Sequence, residues 1–287
     1  MSQIVYINGE FVPKEQATVS VFDRGFLFGD GVYEVIPVIR STLVDKASAM
    51  QRLDRSLAAV GMAWPCARET CLPILEQLRA LNNIEEGLIY MQVTRGVADR
   101  DFAYPLNTAT TFFAFASSKK IIENPLLESG VNVVSVEDLR WKRRDIKSTN
   151  LLAQCIAKQQ AMTQGAFEGW LVEDDLVTEG ASSSAFIVKN NTIITRELST
   201  TILPGIRRWM IISLADQYEI KLLERPFSLE EARTADEAFL SSATTLVLPV
   251  VAVDGQRIGN GKPGPITLRL RELYVDMLLR EAADAVH

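Results

Sequence analysis

An α+β chain of two domains is what this sequence predicts, and three observations predict it. The chain has 287 residues, 47% of them hydrophobic, enough for two medium domains with buried cores. Short strand and helix patterns alternate too irregularly for a doubly wound parallel sheet. A polar stretch ending in proline, SSKKIIENP at 117–125, interrupts them and reads as a connector. The expected layout is a smaller N-terminal α/β domain over 1–117, a connector over 118–126 and a larger C-terminal domain over 127–287.

Each element has its own signal. IVYIN at 4–8 and EFV at 10–12 flank Asn8-Gly9 and predict a hairpin with a tight turn. VYEVIPVI at 32–39 is a second strand, in which Pro37 argues for a sheet edge or a bulge. Met50, Leu53, Leu57 and Val60 recur at helical spacing and predict a helix over 46–60. A second helix follows over 70–81, then strands at 88–94 and 110–116. Beyond the connector, strands are expected at 131–136, 169–173, 185–189, 192–195, 237–242 and 250–255. Helices are expected at 149–164, 206–218 and 265–284, the last opened by Pro265 at a favourable first-turn position.

Composition excludes several classes. A net charge of -6 with no basic block argues against nucleic acid as a partner. No apolar run approaches the ~20 residues of a membrane helix, and MSQIVYINGEF lacks the layout of a signal peptide. Cys66, Cys71 and Cys155 form no even framework and suit a reducing compartment, so a cytoplasmic location is expected. The one histidine is His287, the last residue. Histidine triads and histidine-ligated metals are therefore not expected, and proton transfer must fall to Lys, Tyr, Cys or a carboxylate.

Five segments carry chemistry. EDLRWKRRDIKSTNLLAQ at 137–154 crowds Arg140, Lys142, Arg143, Arg144 and Lys147 together ahead of a helix. The bland reading is a solvated charged turn. The sharper one is an amine made nucleophilic by neighbouring cations, with Lys147 best placed where the chain changes direction. In LVTEGASSSAFIV at 176–188, Glu179 is followed by glycine and small hydroxyl residues that allow close approach to a bound ring. Taken alone, T-E-G is more often a hairpin turn. TILPGIRRWMIISLA at 201–215 runs through Pro204-Gly205 into a helix whose free amides suit a phosphate, and SSATT at 241–245 offers hydroxyls to the same anion. Arg52 could add a charge-assisted contact, against the plainer reading of a surface arginine paired with Asp54 or Asp45. In VTRGVADRDFAYP at 93–105, Arg95 and Arg100 are candidates for gripping a carboxylate. The Gly29-Asp30-Gly31 run precedes a strand instead of following one, so a dinucleotide fingerprint fails.

DRGFLFGDGVYEV, MQRLDRS, YMQVTRGVADR, EDLRWKRRDIKSTNLLAQ, VTEGASSS, ILPGI and SSATTLVLPV, in this order over residues 22 to 250, resemble the fold-type IV aminotransferases that use pyridoxal 5′-phosphate (PLP), most closely the bacterial D-amino-acid transaminases. The resemblance implies two domains with PLP between them, in a homodimer whose partner helps close the site. It makes Lys147 the residue that carries the cofactor as a Schiff base and moves the proton, and Glu179 the acid on the pyridine nitrogen. Arg52, the backbone of Ile206 and Arg207, and Ser242 and Thr244 become phosphate contacts. Arg207 stands where the family often has Thr, so the hydroxyl is lost and the backbone contact kept. Tyr33, Arg100, Phe102 and Ser183 fall in the substrate pocket, Tyr33 and Arg100 matching the pair that receives the α-carboxylate.

One departure stands out. The D-specific pattern usually reads Arg-x-His where this chain reads Arg100-Asp101-Phe102. A lost hydrogen bond to a charged group costs ~1.5–3 kcal/mol, which predicts a raised KM for D-amino acids or a broader substrate range. The implied reaction exchanges an amino group between a D-amino acid and a 2-oxo acid, of the D-alanine/2-oxoglutarate type. The alternatives are an (R)-selective amine transaminase, a branched-chain-type aminotransferase, an aminodeoxychorismate lyase and a PLP binder without turnover.

Overall fold

The computed structural model describes residues 2–284; His287 lies outside them. The chain divides into two units. The first contains residues up to Lys120, Ile146–Asn150 and the chain from Leu278 onward, and the second contains Ile121–Asp145 and Leu151–Met277.

The first unit is built from β1 (Ile4–Ile7), β2 (Glu10–Pro13), α1 (Arg24–Phe28), β3 (Gly31–Ile39), β4 (Thr42–Leu43), α2 (Lys46–Ala59), α3 (Arg68–Leu81), β5 (Gly87–Thr94) and β6 (Thr111–Ser118). Its antiparallel sheet runs in the order β2-β1-β6-β5-β3-β4. Asn8 and Gly9 both take positive φ, which closes the expected hairpin without splaying its strands. Period-two alternation along β3, β5 and β6 buries Ile36, Ile89, Met91, Val93 and Ala114 on one face. Leu53 and Leu57 of α2 and Leu75 and Leu78 of α3 are also fully buried, α2 packing on β3 and α3 on β1 and β6. The opposite face, with Tyr33, Tyr90, Phe113 and Phe115, is half-buried.

Pro37 does not put β3 on the outer edge. The Pro37 carbonyl accepts from Val44 N–H at 3.0 Å, just past the end of the two-residue β4. Its missing N–H therefore points to that nearly open side, and the ladder to β5 runs unbroken past it.

The second unit contains α4 (Leu126–Ser129), β7 (Val131–Glu137), α5 (Leu152–Thr163), β8 (Glu168–Glu173), β9 (Leu176–Gly180), β10 (Ser184–Lys189), β11 (Thr192–Thr195), α6 (Ile206–Gln217), β12 (Leu222–Glu224), α7 (Leu229–Arg233), β13 (Glu237–Ser242), β14 (Leu246–Val253), β15 (Gln256–Arg257) and most of α8 (Pro265–Asp284). Its sheet runs β12-β11-β10-β13-β14-β7-β8-β9, with β15 on β14. Trp170, Ile187, Phe227, Leu240, Leu248 and Val250 form one core. Val134, Val136 and Leu171 pack with Ala157 and Ala161 of α5 on another. Among the described residues, no helix is long and apolar enough to cross a membrane.

Two expectations shift by a few residues, each for a local reason. The helix expected from 149 begins at Leu152, because Thr149 spends its N–H on Gly31 O at 2.9 Å and its hydroxyl on Gly29 O at 2.9 Å. Thr178, Glu179 and Gly180 form the end of β9 instead of a turn, and the turn falls at 181–183.

Candidate active site

Lys147 belongs to the first unit, and the edge of β3 holds it there. Tyr33 N–H donates to Lys147 O at 3.0 Å, Lys147 N–H to Ser56 Oγ at 3.4 Å, and Ser148 bridges Val32. The glycines of the FGDG motif make this approach fit. Gly29 ends α1 at φ 66, and a Cβ on Gly31 would stand 3.1 Å from Thr149 Oγ1 and 3.0 Å from Val93 O. The Lys147 Nζ lies 4.2 Å from the centre of the Tyr33 ring, which stacks on Tyr90. Among the described residues the amine makes neither a hydrogen bond nor an ion pair.

The cations expected to surround Lys147 are neutralised elsewhere. Arg140 pairs with Asp138 and Glu179, Lys142 with Glu173, Arg143 with Asp145, and Arg144 with Asp138 and Glu173. The segment therefore presents paired ions and no bare positive field, because each cation found a carboxylate that linear sequence did not reveal.

Arg52 is buried, not the surface arginine of the plainer reading. Its Nε and Nη2 donate to the two oxygens of the fully buried Glu34, both at 2.8 Å. This bidentate grip fixes the plane of the guanidinium. Glu34 gave no signal in the sequence beyond being a charged residue on an otherwise apolar strand.

Arg95 and Arg100, adjacent candidates for a carboxylate, separate sharply. Arg95 is buried, forked onto Asp30 at 2.7 and 3.1 Å, and bound to the carbonyls of Val60 and Gly61. It also lies 3.5 Å from the Tyr104 ring centre. Arg95 is thus a structural residue and not the carboxylate-gripping arginine, its guanidinium being spent on Asp30 and two carbonyls. Arg100 is exposed, 5.4 Å from the Phe28 ring and 5.5 Å from that of Phe102. Phe102 itself is 77% exposed. Within this unit Tyr33 is brought to Lys147, whereas Arg100 makes no hydrogen bond to either among the described residues.

In the second unit Glu179 sits on β9, 5% exposed. It accepts from Arg140 Nη1 at 2.5 Å and from Leu203 N–H at 3.1 Å. Burial pushes its carboxyl above the usual range, and Arg140 opposes that shift. Burial also works against the Arg140 charge, but Asp138 and Glu179 outweigh it and hold the guanidinium protonated. A second buried carboxylate was missed by sequence reasoning. Glu168 accepts from Ser182 N–H at 2.8 Å, from Ser182 Oγ at 2.5 Å and from the Ser183 hydroxyl. It fixes the serine turn, and it occupies the Ser183 hydroxyl expected to face substrate.

The two segments of this unit expected to receive an anion meet. Gly205 precedes α6 with no side-chain cap, and Ile206 and Arg207 open the helix, both buried. A Cβ on Gly205 would stand 2.7 Å from Ser184 Oγ, and Ser184 is the register partner of Ser241. The Ser242 and Thr245 hydroxyls lie 2.8 Å apart in the adjoining turn, which also carries Thr244. The Ser241 hydroxyl is buried and has no partner among the described residues. Uncapped amides, a glycine cradle and an orphan hydroxyl at one end of β10 and β13 suit a bound anion.

The amino-transferase class IV family matches this chain over residues 31–253. The chain belongs to the class IV aminotransferases, and it is an enzyme of that type. It is 40% identical over 270 residues to the D-alanine aminotransferase of Staphylococcus aureus (strain MSSA476), spanning 93% of this chain and 95% of that protein. It is 37% identical over 284 residues to the D-alanine aminotransferase of Bacillus licheniformis, spanning 98% and 99% of the two chains. The branched-chain amino acid aminotransferase of Escherichia coli shares the fold, with a TM-score of 0.90 at 24% identity over 97% of this chain and 95% of that one. The branched-chain amino acid aminotransferase of Thermoproteus uzoniensis, solved with norvaline, matches at a TM-score of 0.86 and 25% identity over 97% of this chain and 95% of that one.

Proposed function

We propose that this enzyme transfers the amino group of a D-amino acid to a 2-oxo acid, with D-alanine and 2-oxoglutarate as the reference pair and PLP as its cofactor. The observation that carries the reading is an unengaged Lys147 amine beside Tyr33 in a chain 40% identical to a D-alanine aminotransferase. The residues fit the cofactor. The buried, arginine-paired Glu179 suits a protonated ring nitrogen, and the orphan Ser241 hydroxyl beside the Gly205 cradle suits a phosphate. Lys147 would hold the aldehyde; Arg52, the amides of Ile206 and Arg207, and Ser242 and Thr244 would hold the phosphate. Bound PLP supplies a carbonyl that condenses with amines and a ring that spreads negative charge.

The chain's own groups do the rest. The Lys147 Nζ takes the proton from the substrate α-carbon and returns it, a role no histidine competes for. Glu179, held in an ion pair with Arg140, would keep a ring nitrogen protonated. Tyr33 and Arg100 receive the α-carboxylate, with Ser183 at the pocket wall. Phe102 places an apolar ring where a donor would strengthen that grip, which raises KM for D-alanine. The enzyme works as a homodimer. Phe22, Phe26, Val97, Tyr104 and Leu106 expose apolar surface on two segments joined by the Asp23–Val97 bridge. A single-copy mass by light scattering contradicts that part of the reading.

The exposed Phe102 also favours a second reading, an (R)-selective amine transaminase that needs no carboxylate. A donor panel against 2-oxoglutarate separates the two. Pyruvate from D-alanine with little from L-alanine is the expected result. Turnover restricted to (R)-1-phenylethylamine or to L-leucine would overturn it.

A further inference from the structure

Arg271 of α8 is 5% exposed, and every hydrogen bond it makes ends on a backbone carbonyl. Its Nη1 donates to Thr245 O at 2.7 Å and Val247 O at 2.9 Å. Its Nη2 donates to Ile121 O at 2.8 Å and Ile122 O at 3.0 Å. Among the described residues it forms no salt bridge. Burial pulls its pKa down to about 10, which leaves it charged at neutral pH.

The residue between the two gripped carbonyls is Leu246, fully buried and at φ 53. A branched side chain in the left-handed region persists only where its surroundings over-determine it. Here a rigid planar fork spans both sides of it. Bending the chain at Leu246 sets the course of the Ser242–Thr245 turn just before it. Behind that turn stands a guanidinium charge that four carbonyl dipoles solvate without cancelling.

We propose that Arg271 is the positioning residue of the phosphate site, holding the Ser242–Thr245 turn in its bent form and placing a fixed positive charge behind it. The inference rests on the reading that this turn receives the cofactor phosphate. It assigns to the C-terminal helix a part in gripping a phosphomonoester that no contact with the ligand would reveal.

The test compares PLP with pyridoxal, which lacks the phosphate, by equilibrium dialysis of the intact chain. In Arg271→Lys the charge remains but the fork is lost, and the apparent Kd for PLP should rise about tenfold with that for pyridoxal nearly unchanged. Arg271→Met should raise the PLP value further, and the lysine variant decides the matter if the methionine variant does not fold. Equal loss of both ligands, or loss of neither, would overturn the proposal by reducing Arg271 to a packing residue. The double variant Ser242→Ala, Thr244→Ala serves as control. An unchanged PLP-to-pyridoxal ratio there would remove the phosphate turn itself, and the proposal with it; a changed ratio there but not in Arg271→Lys would overturn Arg271 alone.

Discussion

Each unit buries a cluster of arginine and carboxylate, and the two share their charges in opposite ways. In the first, Asp30 is shared by Arg24 and Arg95, two guanidiniums on one carboxylate. In the second, Arg140 is shared by Asp138 and Glu179, two carboxylates on one guanidinium, and Arg144 adds a second guanidinium at Asp138 only. The cation-rich first cluster leaves donors over, and Arg24 spends them on Asp101 O at 2.6 Å and Ala103 O at 3.3 Å, on either side of Phe102. In the second cluster Asp138 meets both guanidiniums, whereas Glu179 meets Arg140 alone. The sharing of charge thus marks what each region offers: a braced loop beside Arg100 in one, a buried carboxylate held by a single arginine in the other.

Removing one arginine from each cluster is the strongest way to break the comparison. Arg140→Met leaves the buried Glu179 without a cation, while Asp138 keeps Arg144 at 3.1 Å, and should cost ~3–5 kcal/mol of stability. Arg24→Met leaves Asp30 still paired with Arg95 and should cost only ~1–3 kcal/mol, while KM for D-alanine rises because the Arg100 turn loses its brace. Chemical denaturation and steady-state kinetics of both variants check this. A larger stability loss for Arg24→Met, or an unmoved KM in it, would break the comparison.

A smaller effect should follow from restoring a donor in the braced loop. Phe102→His should lower KM for D-alanine several-fold, within the worth of one hydrogen bond to a charged group, ~1.5–3 kcal/mol. Turnover of amines without a carboxylate should not improve. An unchanged KM for D-alanine would show that the ring at 102 plays no part in the carboxylate pocket.

Local signals made much of this legible in the sequence alone. Asn8-Gly9 specified its hairpin, helical spacing specified α2, and the segments holding Lys147 and Glu179 were recognisable as motifs. Hidden from the sequence were the pairings that span it. Arg52 meets Glu34 across 18 residues, Glu168 gathers serines 14 and 15 residues on, and Arg271 reaches Ile121 across 150. Arg95 and Arg100 look alike in a linear string, yet Asp30 captures one and leaves the other to solvent. Short elements such as β4, β15 and α4 have too few residues to show a period. Charge partners depend on tertiary closure, so the cations around Lys147 read as a bare cluster until each was seen paired.

Lys147 is where the account is most exposed to test. The purified holoenzyme should lose its visible cofactor absorption on adding D-alanine and regain it on adding 2-oxoglutarate. Lys147→Ala should still retain PLP through its other contacts, yet form pyruvate from D-alanine at least ~10³-fold more slowly. Pyruvate formation by Lys147→Ala at close to the wild-type rate would contradict the assignment of the proton-moving amine.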